Sequence, residues 1–407
     1  MTYARHAAAL ARQIEHAPFL DRLRALDPAG FDADMVTPVV DEAARFAEAV
    51  IAPVDAVLDR GGCRLVDGRV VTSDAHRAAW AAFVAAGWPT LNVAAAFGGQ
   101  GLPLLFQTAC EELFNRASPA FTMLPTPGRT AVAMLAPFAG ADMVAEWLPR
   151  LATGEWAATI CISEPDAGSD VGRIRTRATL DDGAWRVSGE KCWISYGDHD
   201  LSPRIGHCLI ARTGTAAGVR GLSLFLVPSV RADRSRNAVF VRRIEEKMGL
   251  HGSPTCVLGF EAADAVLIGQ EGRGLQQMFT MMLRMRLSTG AQGIGVAAGA
   301  AESALAYARD RRQGGDADAP PVAIAEHVDV RRQLLSMAAR VETGRGLTLA
   351  AAAALDLAER ETDPAAAAAA GVLAQWLLPI VKDLGARTGF DVASDAIQTF
   401  GGAGYTR

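Results

Sequence analysis

The residues best suited to chemistry lie between Ile160 and Gly197, in the stretch ICISEPDAGSDVGRIRTRATLDDGAWRVSGEKCWISYG. Two short apolar runs there end in hydroxyl residues. Ala157 to Ile162 breaks into Ser163-Glu164-Pro165-Asp166-Ala167-Gly168-Ser169-Asp170, and Cys192-Trp193-Ile194-Ser195 runs into Tyr196-Gly197. A strand that opens into a Gly- and Ser-rich loop turns backbone N–H groups and hydroxyls toward one place, which suits phosphate or a polarised heterocycle. A Trp beside a Ser on a nearby strand adds an apolar wall and a hydrogen bond for a flat ring. Together they describe a cradle for a large, planar, phosphate-bearing cofactor. Either half alone reads as an ordinary turn or a core aromatic.

Composition sets the frame for the elements that must hold this cradle. The chain has 407 residues, 50% of them hydrophobic and 21% charged, which suits two or three globular domains. A net charge of −5 gives no electrostatic case for nucleic acid or an anionic membrane. The N-terminal string MTYARHAAALARQIEH is amphipathic and lacks an apolar signal core, and no apolar stretch is read as long enough to span a membrane. Six scattered cysteines without a CxxC spacing read as reduced thiols of a cytoplasmic protein, and the dispersed histidines suggest no metal site.

Periodicity divides the chain into three parts, giving an α+β organisation. Residues 1–155 read as a helical domain, with a long segment over 33–60 that Pro53 kinks or stops, and a helix over 75–87 capped by Asp74. Residues 156–270 read as a small antiparallel β-barrel or sandwich, with short alternating runs at 173–180, 185–188, 207–212, 222–227 and 255–260. Residues 271–407 read as a helical bundle with long segments at 275–313, 325–361 and 364–400. Its alanine runs are strong helix formers between apolar anchors. Gly293-x-Gly295-x-x-x-Gly299 imitates a dinucleotide fingerprint but follows no strand, so close helix packing explains it better.

The order Ile-Ser-Glu-Pro-x-Ala-Gly-Ser-Asp, then Ser-Gly-x-Lys-x-Trp-Ile-Ser-x-Gly, closely resembles the flavin-binding middle domain of the acyl-CoA dehydrogenase family. The likeness continues through Lys247-Met248-Gly249-Leu250, Ser253-Pro254-Thr255-Cys256, YARDRRQG at 307–314 and Gln398-Thr399-Phe400-Gly401-Gly402-Ala403-Gly404-Tyr405, covering roughly residues 35–407. KMGLHGSPTC, MFTMM and Gly314-Gly315 after Arg-Arg-Gln resemble the 3-methylthiopropionyl-CoA branch in particular.

The resemblance implies FAD as cofactor and an acyl-CoA thioester as substrate. Ile160, Cys161, Ile162 and Ser163 would run along the flavin edge, and Gly168 with Ser169 would meet the pyrophosphate. Trp193 and Ile194 would pack beside the ring. Ser195, where the family commonly has Thr, would reach the nitrogen N5 that receives hydride. Arg311 and Gln313 would contact the partner's pyrophosphate across a homodimer or homotetramer interface. His327 would sit near the adenine, and Gln398, Gly401 and Gly402 would close over the adenosine. Arg286, and Ser169 from its other side, would touch substrate. The Met278, Phe279, Met281, Met282 cluster would be core, acyl pocket or both.

One part is missing from the pattern. The family's proton acceptor is a Glu beyond the Gly-Gly-x-Gly-Tyr turn, which here would lie past Arg407; the alternative position is Met285. Two accounts fit: a truncated product that lacks the end of its bundle, or a flavin-binding relative without dehydrogenase activity. An electron-transfer flavoprotein is the implied electron acceptor; an acyl-CoA oxidase, discharging to oxygen, is the alternative enzyme.

Overall fold

The computed structural model describes residues 3–27 and 33–406; Met1, Thr2 and Arg407, used in the readings above, lie outside the described residues. Helices α1 (Tyr3–Glu15), α2 (Leu20–Leu26), α3 (Val36–Phe46) and α4 (Ala52–Gly61) come first. Pro53 does not end the helix: a π-helical stretch, Ala47–Ile51, widens the turn ahead of it and re-routes the hydrogen bonds that proline interrupts. A hairpin follows, β1 (Arg64–Val66) with β2 (Arg69–Val71), inside a region read as wholly helical. Its turn is Asp67-Gly68, both at positive φ, a strong local hairpin signal that the helical flanks hid. Helix α5 (Asp74–Ala85) is capped by Ser73, not Asp74: the Ser73 hydroxyl accepts from His76 N–H at 3.2 Å.

Helices α6 (Leu104–Ala117), α7 (Pro119–Thr122), α8 (Pro125–Phe138) and α9 (Ala141–Thr153) lead into the strands: β3 (Ala157–Cys161), β4 (Arg177–Asp181), β5 (Ala184–Ser195), β6 (Ile205–Arg212), β7 (Leu222–Pro228), β8 (Val239–Ile244) and β9 (Thr255–Ile268). Helices α10 (Gly274–Asp310), α11 (Val328–Arg360), α12 (Pro364–Phe400) and α13 (Gly402–Tyr405) complete the chain. By compactness the chain forms two bodies. A β-rich body takes Pro53–Gly101 and Ala120–Met285; a helical body takes Met1–Ala52, Leu102–Pro119 and Arg286–Arg407.

In the β-rich body the strands close into a ring in the order β6-β4-β5-β9-β7 and back to β6, with β3 added beside β6 and β8 beside β9. The barrel is not wholly antiparallel: β3 runs parallel to β6, as does the single β4–β6 pairing at Arg177↔Arg212. The run at 173–180 begins as a 3-10 turn over Val171–Arg173 and pairs only from Arg177. Alternation along the strands fills two layers. Leu209, Ala211, Phe225, Val227 and Leu258 point into one core. Cys208, Ile210, Leu224 and Leu226 point into another, shared with α8, α9 and Met278 and Met281 of α10. Strands buried on both faces therefore read as nearly continuous apolar runs.

In the helical body α10, α11 and α12 pack through small residues, with Ile294, Ala297, Met337, Val341 and Val392 at their core. A Cβ on Gly293 would lie 2.0 Å from Gly385 O, and one on Gly295 would lie 2.4 Å from Glu112 O. The glycine string is therefore a packing seam. One expectation fails: α12 is long and apolar enough to cross a membrane, 37 residues with mean hydropathy 1.6 in its most apolar window, only 22% of that window buried. The alanines of 365–370 raise hydropathy without the bulky side chains by which a spanning stretch is usually noticed.

Three histidines are entombed in the β-rich body. The His76 ring lies 3.4 Å from the Tyr196 hydroxyl, His207 bonds Thr159 at 2.8 Å, and His199 is fully buried. Burial lowers all three, His76 and His207 to about 4 and His199 to about 3. The unfolded chain, whose histidines titrate near 6.5, takes up protons first. Stability is then full above about pH 6.5 and falls as pH drops toward 4, by up to about 1.4 kcal/mol per pH unit for each histidine. The urea midpoint, followed by tryptophan fluorescence, should fall clearly between about pH 7 and 5; an unchanged midpoint would refute the buried neutral state.

Candidate functional site

The two halves of the cradle are brought together in the β-rich body. Strand β3 ends at Cys161, and the next residues bend into a tight turn in which Glu164 and Ala167 exchange backbone hydrogen bonds at 3.0 and 3.1 Å. That turn is tied to β5 at three points. Cys192 N–H donates to Ser163 O at 3.0 Å. The Lys191 ammonium donates to Ile162 O at 2.9 Å and to Glu164 Oε1 at 2.8 Å. Glu164 also accepts from the backbone N–H groups of Arg175 and Thr176 at 2.7 and 3.0 Å. One buried carboxylate thus gathers β3, the start of β4 and β5.

Lys191 is 0% exposed and Glu164 7%. Burial alone would raise the Glu164 carboxyl, but the Lys191 ammonium and the Arg175 N–H reverse this and hold it below its ordinary range. Neither residue was given a role from the sequence. The available signal is slight: Glu164 follows the apolar run that ends at Ile162 and Lys191 precedes Cys192-Trp193-Ile194, one charge beside each half of the motif, and charges are rarely buried unless paired.

The second half is shaped by a bulge. Between β5 and β9 the register passes from Lys191↔Leu258 to Ile194↔Cys256, so β5 carries one residue more than its partner. Trp193 falls in that interval with φ +59°, a left-handed conformation rare for a bulky side chain. Cys192 and Ile194 on either side are buried, whereas Trp193 is 59% exposed. It is therefore no core aromatic. Tyr196, at φ +50°, turns back into the body, where its hydroxyl donates to Ala120 O at 2.7 Å.

The donor set fits a flavin nucleotide. Ile160, Ile162, Ser163 and Ser195 are partly exposed, Gly168 and Ser169 are exposed, and Cys161 is buried. Among the described residues the hydroxyls of Ser163, Ser169 and Ser195 have no protein partner. Three free hydroxyls and an outward indole on the joined strand ends match a ring edge and a phosphate.

Arg286, Arg311, Gln313, His327, Gln398, Gly401 and Gly402 belong to the helical body, whereas Met278, Phe279, Met281, Met282 and Met285 belong to the β-rich one. Tyr307 and Phe400 pack at a 39° tilt with centroids 4.6 Å apart, bringing the ends of α10 and α12 together and with them the Arg311 and Gln398 segments. Residues 311–324 fold back through Gln313 N–H to Val322 O at 2.9 Å and Ile324 N–H to Arg311 O at 2.8 Å. The His327 ring sits 2.7 Å from Gln313 O, so it fixes that loop directly. Gly314 has φ +72°, and a Cβ there would come within 3.1 Å of the His327 ring, which accounts for glycine at this position. Gln398, Gly401 and Gly402 are exposed, and Arg286 and Met285 are half-buried on α10. Met278 and Met281 are fully buried, whereas Phe279 is 40% exposed.

Removing Lys191 leaves the Glu164 carboxylate buried without its counter-ion. Lys191→Met should lower stability by about 3–5 kcal/mol and expose the 163–170 loop to proteolysis. A loss within about 0.5 kcal/mol, typical of a surface change, would refute the role given to the pair.

Comparison with known proteins agrees with this geometry. Models of the acyl-CoA dehydrogenase N-terminal, middle and C-terminal domains match residues 37–155, 159–263 and 272–407. The chain is 38% identical to 3-methylmercaptopropionyl-CoA dehydrogenase of Ruegeria pomeroyi, over 100% of this chain and 71% of that protein. It is 33% identical to the broad-specificity linear acyl-CoA dehydrogenase FadE5 of Mycobacterium tuberculosis, over 92% of this chain, and spans 64% of that relative's length. Butyryl-CoA dehydrogenase from Megasphaera elsdenii shares the fold, with a TM-score of 0.76 at 21% identity over 91% of this chain and 88% of that one. FAD-dependent dehydrogenation is the function of this family. The chain belongs to the acyl-CoA dehydrogenase family.

Proposed function

We propose that this chain binds FAD and forms the scaffold on which an acyl-CoA thioester is dehydrogenated between Cα and Cβ. The observation that carries the reading is the pairing of unpartnered hydroxyls with the outward Trp193, on strand ends locked by Lys191 and Glu164. When bound, FAD supplies the hydride acceptor. Ser195 holds the flavin nitrogen side, Trp193 covers the ring, and Ser163 meets the ring edge. Gly168 and Ser169 hold phosphate, and Arg286 with Ser169 orients the thioester. Arg311, Gln313, His327, Gln398, Gly401 and Gly402 reach a second copy's cofactor, which supports a homodimer or homotetramer.

The 38% identical relative, named for 3-methylmercaptopropionyl-CoA, supports a short thioether-bearing acyl group as the first substrate to try. A role in fatty acid metabolism, an electron-transfer flavoprotein as acceptor and the domain limits 1–155, 156–270 and 271–407 complete the proposal. All six cysteines are free, which supports a reducing, cytoplasmic setting.

Proton abstraction needs a base within hydrogen-bond reach of the substrate Cα. Met285 cannot accept a proton, so on this reading the base comes from a position other than that one on α10. The chain should retain FAD, and 3-methylthiopropionyl-CoA added under anaerobic conditions should bleach it only as fast as a base reaches the substrate Cα. Trp193→Ala and Ser195→Ala should each weaken FAD binding about tenfold with little change in folding. Failure to retain FAD, or undiminished affinity in both variants, would overturn the cradle. Bleaching at an ordinary enzymatic rate would instead reveal a base elsewhere. Faster reoxidation by oxygen than by an electron-transfer flavoprotein would favour an oxidase.

A further inference from the structure

A cavity of about 630 Å³ lies within the helical body, between α1 and the facing sides of α10 and α11, apart from every residue assigned above. Its size is that of a small-molecule site. The wall is largely aliphatic, with Ala298, Ala301, Leu305, Leu334, Ala338 and Val341; the one ring among the described lining residues is the His6 imidazole, 2% exposed and 2.6 Å from Glu112. Leu335, on the same wall, is 70% exposed.

Its charges are unbalanced in one direction. Two acidic groups line it, and both have cationic partners: Glu342 pairs with Arg345 at 2.6 Å and Glu302 with Arg116 at 2.5 Å. Arg345, itself 2% exposed, also holds Glu112 at 2.7 Å. Four further lining arginines, Arg5, Arg12, Arg309 and Arg331, have no carboxylate partner among the described residues. Arg331 donates only to Ala325 O, at 3.2 Å. In a chain of net charge −5, four unpaired guanidinium groups around one cavity are not an average surface. They repel one another until an anion arrives, and a guanidinium fork suits carboxylate or phosphate oxygens. Arg5 and Arg12 come from α1, ahead of residue 37 where the N-terminal family model begins.

We propose that this cavity binds an aliphatic anion, an unbranched alkyl chain with a carboxylate or phosphate head. The chain lies on the alanine and leucine wall, and the head is held by the arginines at the mouth. The lining suits an alkyl chain better than a nucleotide base, because the His6 ring is already engaged by Glu112 and Arg345.

The test uses the FAD-saturated full chain, so that flavin sites are filled. Calorimetric titration with dodecanoate should show saturable binding of one molecule per chain, and dodecanol should bind at least about tenfold more weakly. Exchanging the exposed arginines in an Arg5→Gln, Arg309→Gln double variant should weaken dodecanoate by at least about tenfold, and Ala301→Trp should abolish binding by filling the cavity. FAD content and thermal unfolding of the double variant should stay unchanged, which separates a lost site from a lost fold. Tighter binding of dodecyl phosphate than of dodecanoate would identify a phosphorylated amphiphile as the source, and the reverse a free fatty acid. Absent saturation, equal binding of dodecanol, or an unaffected double variant would overturn the proposal.

Discussion

The Lys191–Glu164 pair is the constraint on which the cradle depends. Two unlike charges taken out of water are costly unless each is fully satisfied, and here the partners come from three segments: the turn after β3, the approach to β4, and β5. The ammonium holds the Ile162 carbonyl and the carboxylate; the carboxylate holds two N–H groups at the approach to β4. Because the pair is stable only when all these groups are in place, it fixes where Ser163, Ser169 and Trp193 stand relative to one another. A purely apolar contact at the same spot would tolerate sliding; a buried ion pair does not.

The helical body achieves the same precision without charge. Where α10 meets α12, glycine faces glycine and the backbones themselves touch, so spacing is set by atoms that have no rotamers. This seam continues into the Tyr307–Phe400 contact, which brings the Arg311 and Gln398 segments to one end of that body. The loop between α10 and α11 is then pinned by the His327 ring on Gln313 O. The backbones on which the candidate cofactor-contacting side chains sit are thus fixed before any ligand arrives.

Much of this was legible in the residues themselves. The bounds of α12 follow from Asp363, whose carboxylate caps Ala365 N–H, from Pro364 at the first helical position, and from Gly401 after the last. The two-part motif groups Ser163, Ser169, Trp193 and Ser195, and the strand ends that carry its halves are tied by the Cys192 N–H to Ser163 O bond. What escaped were relations between distant segments. Strand direction is not written in a strand's own alternation, so the parallel β3–β6 pairing was invisible. The partnership of Glu164 with Lys191 spans 27 residues and has no periodic signature. The π turn before Pro53 and the Asp67-Gly68 hairpin lie among helices, whose dominant periodicity masks local turn chemistry.

The extra residue in β5 bears on how such a surface can arise. In a regular strand, neighbours alternate between the two faces of the sheet, and a shift of one residue exchanges them. Deleting one residue at this bulge would remove the shift between Lys191 and Ile194 and with it the left-handed position from which Trp193 stands clear of the barrel. No exchange of one side chain for another achieves that. An ordinary barrel wall and a wall able to receive a flat ring therefore differ here by an insertion, and the ancestry of such a site is better sought in gaps between aligned strands than in the identities of their residues.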